Sequence, residues 1–356
     1  MRKHGKSPVG RALRVGATCL LIAVSTGAVP AVPPVGYIEN VQDPEDLVQL
    51  PGTKWIVASG RKPVGTDQPG HLYLINSENG ESEIVYPRSG AEKPTNELGA
   101  GCGGAPDVRN FEAHGLGLRP GLDGRSHLYV ANHASPKGGR EAIELFTIDA
   151  RGVKPIVTWS DCVPTPPHSW FNDVVALPGG GFAATDFMDP GDRQADAKLQ
   201  AGQVTGNVLE WHRGVGFEAV PNSEMSGANG IETDPEGRYY FVNAWGSREL
   251  VRIARADHRR TSVRVGMLAD NNAWTWDGRL IVVGQAMGAR DIGGCLANPK
   301  CPIPFRALEI DPVTLTSKVL IDEKDTLWAA TSPRPVNGEL WIGGQRTSRI
   351  ARYRFR

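Results

Sequence analysis

Only five cysteines occur in 356 residues, and none falls in a CxxC pair or a mixed Cys/His spacing. That excludes a structural zinc site of the usual kind. No GxSxG elbow and no HExxH helix is present, which disfavours a serine nucleophile and a helix-borne zinc. Gly99-x-Gly101-x-x-Gly104 matches a dinucleotide loop in letters alone. It neither follows a clear strand nor opens a helix, and Pro106 soon interrupts it. Net charge is absent as well, with 39 basic residues against 39 acidic. No convincing helical periodicity runs anywhere beyond the N-terminus.

What is there begins with a leader. Arg2, Lys3, Lys6, Arg11 and Arg14 precede an apolar run from Val15 to Val29, followed by small residues and Pro30, Pro33 and Pro34. A basic opening, a short apolar stretch and a small-residue exit predict a secretory signal over residues 1–31, cleaved between Gly27 and Ala31. The run is short for a membrane span, and the prolines stop a helix; an uncleaved anchor is the alternative. The remaining chain, 32–356, keeps 34 basic residues against 39 acidic, a charge of −5. That argues against nucleic acid as a partner. The arginines at 346, 349, 352, 354 and 356 read as the solvated edge of a last strand. Export to the periplasm or the exterior suits the four cysteines left, an even number. Cys295 and Cys301 close a short loop, which leaves Cys102 for Cys162.

Short β-rich runs punctuated by Asp-Gly, Glu-Gly, Asn-Gly and Gly-Gly turns fill the mature chain, which carries most of the 43 glycines and 27 prolines. They recur. Glu45, His114, Asn172 and Asn229 each precede a proline by six residues; Asn271 precedes Asp277, and Leu327 precedes Pro333, by the same offset. After each comes a turn and an apolar strand: WIVAS, HLYVAN, GFAAT, YYFVNA, RLIVVG and ELWIGG. Spacings of 69, 58, 57, 42 and 56 residues suit four-stranded units with variable loops. Six such all-β units predict one six-bladed β-propeller domain.

Five of the six register residues can ligate a hard cation or move a proton, although acids, His and Asn make up only 62 of the 356 residues. Turn capping accounts for any one of them more readily than for the set. In a propeller these positions surround the central axis. Oxygen donors of mixed type suit calcium: Glu45 and Asp270 would balance its charge, and Asn172, Asn229 and Asn271 would add neutral oxygens. His114, in the same register, has the chemistry of a general base. His133 alone reads as a structural histidine.

The segments FEAHGLGL, LYVANH with IELFTID, FNDVVALPGGGF, ANGIETDPEGRYYFVNA and ADNNAWTWDGRLIVVG, with PEDLVQLPG, resemble the paraoxonase/arylesterase branch of the gluconolactonase-like propellers. The resemblance spans about Glu45 to Gly344, one motif per blade in order. It implies a calcium-dependent hydrolase of lactones or aryl esters with two ions in the tunnel. A catalytic ion would lie on Glu45, Asn172, Asn229, Asp270 and Asn271. A deeper structural ion would use Asp46 and Asp173, with backbone help near Leu116 or Gly117. The dyad would be His114, activating water, and His133, relaying its proton. The chain departs from the family in three places. No cysteine ties its first and last strands, Phe187 and Met188 stand where a pocket histidine is expected, and the loop RKPVGTDQPG lacks a tyrosine.

Long loops around 90–110, 190–206 and 286–305 should rim one face, and Trp274, Trp276 and Trp328 should lie near the mouth. The implied partner is a small lactone or ester, with no nucleic acid, no membrane anchor after leader removal, and a monomeric state. Two rivals remain: a binding propeller with structural calcium, and a strictosidine-synthase-like enzyme, whose tunnel carries a carboxylate base without a metal.

Overall fold

The computed structural model describes residues 1, 32–63, 66–87, 95–100, 102–121, 123–133, 139–296, 301, 303–324 and 326–355. The leader expected over 1–31 therefore lies, Met1 aside, outside the described residues.

The alternating runs fold into 24 strands among the described residues, arranged as six antiparallel four-stranded blades. The chain enters as β1 (Gly36–Glu39). Blade one follows as β2 (Pro44–Gln49), β3 (Trp55–Gly60), β4 (His71–Asn76) and β5 (Ser82–Tyr86). Blade two is β6 (Ala113–Pro120), β7 (Arg125–Asn132), β8 (Ala142–Asp149) and β9 (Ile156–Pro164). Blade three is β10 (Phe171–Ala176), β11 (Phe182–Asp186), β12 (Asn207–His212) and β13 (Gly216–Ala219), with α1 (Ala195–Gln200) between its second and third strands. Blade four is β14 (Ala228–Thr233), β15 (Tyr239–Ala244), β16 (Glu249–Ala254) and β17 (Arg260–Arg264). Blade five is β18 (Leu268–Trp274), β19 (Leu280–Gln285), β20 (Phe305–Ile310) and β21 (Ser317–Glu323), with α2 (Ala289–Leu296) after its second strand. Blade six is β22 (Ala329–Val336), β23 (Glu339–Gln345) and β24 (Arg349–Arg354), completed on the outside by β1.

Two expectations are corrected here. The last strand is no edge: β24 lies between β23 and β1, Arg349 sits 4.0 Å over the Tyr37 ring, and Arg352 pairs with Glu339 at 2.7 Å. Pairing the first strand with the last closes the ring and removes an open seam. Two helices also occur where none was expected. α1 has six residues, and α2 holds Gly293 and Gly294, so neither is long or regular enough to print a helical period in sequence.

Each blade buries both faces, so an apolar cluster fills every gap between neighbours. Leu72, Leu128, Phe146 and Trp159 join blades one and two, while Ile38, Leu47, Ile56 and Trp341 join blades six and one. Cys102 pairs with Cys162 and Cys295 with Cys301, as the cysteine count implied. These disulfides are consistent with an extracellular or periplasmic protein. Among the described residues no helix is long and apolar enough to cross a membrane.

The innermost strand of every blade carries a β-bulge at the same height, near its start. Pairing with the second strand identifies two residues in each bulge: Glu45-Asp46, His114-Gly115, Asn172-Asp173, Asn229-Gly230, Asp270-Asn271 and Thr331-Ser332. A bulge re-aims the side chains it carries, here toward the axis. The true equivalents in blades five and six are thus Asp270 and Thr331, not Asn271 and Leu327. In blade six Pro333 lies inside β22, and the turn to count from is Asn337-Gly338, both at positive φ. In blade five the turn Thr275–Gly278 starts five residues after Asp270, as Asp234–Gly237 does after Asn229, so Trp276 and not Asp277 stands in the place of the proline. Leu327 packs in the core between blades five and six.

Candidate active site

At the second bulge position the small residues Gly115, Gly230 and Ser332 alternate with Asp46, Asp173 and Asn271, and for the glycines the reason is steric. A Cβ on Gly115 would lie 2.3 Å from Asp173 Oδ1, and one on Gly230 would lie 2.5 Å from the Asp270 carbonyl oxygen. The aspartates use that closeness. Asp46 Oδ1 and Oδ2 accept N–H from Leu47 and Leu116, at 2.7 and 2.9 Å. Asp173 Oδ1 and Oδ2 accept from Val174 and Ile231, at 2.7 and 2.8 Å. Each carboxylate therefore ties its own blade to the next. Burial raises the pKa of both, Asp46 to about 6, and Asp46 adds to the rise at Asp173.

The first bulge position holds the chemistry. Glu45 is fully buried; Oε1 accepts from Asn271 Nδ2 at 3.1 Å, and its main-chain carbonyl accepts from Thr331 Oγ1 at 2.7 Å. His114 Nδ1 lies 2.8 Å from the Asn172 carbonyl oxygen and 3.5 Å from Glu45 Oε2. That carbonyl only accepts, so Nδ1 carries the proton and Nε2 is left as the basic nitrogen. Burial, then Arg61 and His133, push the His114 pKa well down, so the ring is neutral and its contact with Glu45 is no ion pair. Asp270 Oδ2 accepts from Gln285 Nε2 at 2.6 Å, and Gln285 in turn accepts from Trp245 Nε1 at 3.0 Å. Burial raises Asp270 to about 7 against hydrogen bonds from Gln285 and Asn229. Burial also holds Glu45 well above its ordinary value, helped by the charges of Asp270 and Asp46.

Four buried side-chain oxygens here have no hydrogen-bond partner: Glu45 Oε2, Asn172 Oδ1, Asn229 Oδ1 and Asn271 Oδ1. Buried polar atoms are rarely left so, because each costs about 1–3 kcal/mol. Unpaired oxygens on carboxamides, beside carboxylates that repel one another, fit a hard cation. Among the described residues no three His, Cys, Asp or Glu side chains come together as metal ligands would; this donor set draws on carboxamides instead. Asp46 and Asp173 carry no such mark, since all four of their oxygens already accept main-chain N–H.

Above these residues opens a cavity of about 390 Å³, with His114, Asn172, Asn229 and Asp270 at its base. One wall is aromatic. The His133 ring stacks on Trp170 at 4.7 Å, and Trp170 meets Phe187 at 5.7 Å, which meets Trp245 at 6.0 Å. The His114 and His133 rings stand 4.8 Å apart, and His133 Nδ1 donates to Glu141 Oε2 at 3.1 Å. His133 Nε2 is buried without a partner. α1 and α2 touch over the opening, contributing Leu199 and Ile292. Phe187 and Met188 do line the cavity.

Trp274 and Trp276 do not. They sit at the far end of β18, where Trp274 donates to the Thr233 carbonyl and Trp276 packs on Phe355. Trp328 is not among the lining residues either. The tryptophans that do line it, Trp170 and Trp245, lie 75 residues apart in sequence, and only blade order brings them together. Arg61 and Gln285 gave no sequence signal.

No family model matches the chain, and no curated protein matches it. Solved structures do. The fold is similar to that of a luciferin-regenerating enzyme, at 14% identity and TM-score 0.56, covering 92% of this chain and 95% of that one. It is similar to a gluconolactonase from Xanthomonas campestris, at 13% identity and TM-score 0.56, covering 93% and 99%. It is also similar to the PQQ-bound aldose sugar dehydrogenase of Streptomyces coelicolor, at 11% identity and TM-score 0.53, covering 91% and 98%. Such identities show the fold alone, and the three names carry unlike chemistries.

Proposed function

We propose that this chain is a calcium-dependent hydrolase of lactones or aryl esters. The four orphaned oxygens, two of them on Asn172 and Asn229, which line the cavity with His114, carry the reading. Glu45, Asn172, Asn229, Asp270 and Asn271 would hold the ion, two carboxylates balancing its charge and three carboxamides adding neutral oxygens. Bound there, calcium would polarise the substrate carbonyl and offset the charge that grows on its oxygen.

The protein's own groups would do the rest. His114, neutral and bare at Nε2, takes a proton from water as the water oxygen bonds to the acyl carbon. His133 stands next in line with a bare Nε2, and Glu141 on its Nδ1 would steady the imidazolium. As the acyl C–O bond breaks, the same proton passes to the leaving oxygen. The aromatic wall and the paired helices keep bulk water out and offer an apolar berth for the arm of the substrate. We do not propose a second ion at Asp46 and Asp173, because their oxygens already serve as ties between blades.

A panel of small lactones and aryl esters, assayed with chelator and then with calcium restored, tests the reading. Hydrolysis lost to the chelator and recovered with calcium is the expected result. A folded, calcium-binding protein inert on the whole panel would refute it.

A further inference from the structure

Among the described residues Arg61 is the one Lys or Arg that lines the cavity. It follows β3 on blade one. Its Nε and Nη2 both donate to Glu112 Oε1, at 3.3 and 2.9 Å, and Nη1 makes no hydrogen bond to a described residue. Glu112 is itself fixed: its main-chain N–H donates to Asn132 Oδ1 at 2.9 Å, and Asn132 Nδ2 donates to Glu144 Oε1 at 3.1 Å. The guanidinium is therefore held in place with one nitrogen left to bind something else. Holding it beforehand lowers the entropy lost on binding.

The ring sets what lies opposite. Six blades in order put blade four across the axis from blade one, so Trp245 faces the Arg61 side, with Phe187 of blade three beside it. Asp196 on α1 borders the cavity as well and repels an anion from that quarter. A cation at one end and aromatic rings at the other suit a ligand with an anionic group and an apolar arm, seated with its charge toward blade one.

We propose that Arg61 determines specificity, taking a carboxylate or similar anionic group carried by the acyl part of the substrate. The proposal rests on the hydrolase reading for its reaction, but not for the binding of the anion. The alternative role for Arg61 is an ion pair that merely joins blades one and two. Such a pair is indifferent to the charge of the substrate.

Two esters matched in length separate these roles: p-nitrophenyl valerate, which is neutral, and mono-p-nitrophenyl glutarate, which carries a carboxylate. The readout is the ratio of kcat/KM for the anionic ester over the neutral one, with calcium present. Arg61→Gln should lower that ratio on the order of 10–100-fold, chiefly through KM, since one charge-assisted hydrogen bond is lost. Arg61→Lys should restore part of it. A ratio unchanged by both substitutions overturns the anion site and leaves the hydrolase reading standing. If neither ester is cleaved, the hydrolase reading is left to the lactones of the panel, and glutarate binding followed by calorimetry decides the site. Binding that is lost in Arg61→Gln upholds it; binding that is absent, or equal in both proteins, overturns it.

Discussion

Replacing Asn172 by leucine gives opposite signs for two properties that usually move together. Asn172 is 6% exposed, its Oδ1 is orphaned, and its side chain makes no hydrogen bond to a described residue. Leucine branches at the same carbon with the same number of heavy atoms and leaves no polar atom unsatisfied, and the cavity that Asn172 lines has room for its bulkier methyls. Without metal, Asn172→Leu should therefore stabilise the protein by roughly 1–2 kcal/mol, the cost of an unmet buried acceptor. In a domain of this size that is a rise in Tm of roughly 1.5–3 °C. With calcium the order reverses. The wild type gains roughly 2.7 kcal/mol at 100 times its Kd, whereas the variant has lost one ligand and gains less. Differential scanning calorimetry in chelator and in calcium, with a calcium titration by calorimetry, reads both effects. An Asn172→Leu protein that melts lower in chelator and binds calcium as tightly as wild type would refute the reasoning. Asn172 would then be an ordinary structural residue at the head of its strand.

His114→Gln should lower ester or lactone hydrolysis by roughly 10²–10⁴-fold, the usual worth of a positioned base, while the rise in Tm with calcium persists; loss of both together would make His114 structural. Gly230→Ala places a methyl 2.5 Å from the Asp270 carbonyl and 2.6 Å from Asn271 Cα. Denaturant titration should show a loss of about 1–3 kcal/mol from this overpacking, with weaker calcium binding because the displaced atoms belong to ligand residues. Glu232 borders a second cavity of about 210 Å³ at the other end of the tunnel. Burial pushes its carboxyl up to about 7 while Arg334 opposes the rise. A folded pKa above the unfolded one means the stability this group contributes is present below about 4.5 and lost as pH rises through about 7. Glu232→Gln should thus raise stability more at pH 8 than at pH 5, and an equal effect at both would show that the group titrates normally.

Much of this molecule was legible in its residues. Strands need only alternation and turns to declare themselves, and the runs at Trp55, Leu128, Tyr239 and Leu280 all fall within observed strands. Repetition of one unit six times is a property of the chain itself, so the blade number followed from spacing. Glu45, His114, Asn172 and Asn229 followed too, because each stands a fixed distance before a turn. The same rule misplaced blades five and six, where Asp277 rather than Trp276 resembles the marker of the turn and Pro333 lies inside β22. Bulge register is decided by pairing with a second strand, which no single run of sequence displays. Closure by β1 against β24, the two short helices over the opening, and the meeting of Arg61 with Trp170 and Trp245 required the ring. Local pattern specifies elements because backbone propensity and burial act over a few residues. A cavity is made by residues far apart in the chain, so its walls and its charge exist only once the blades have closed.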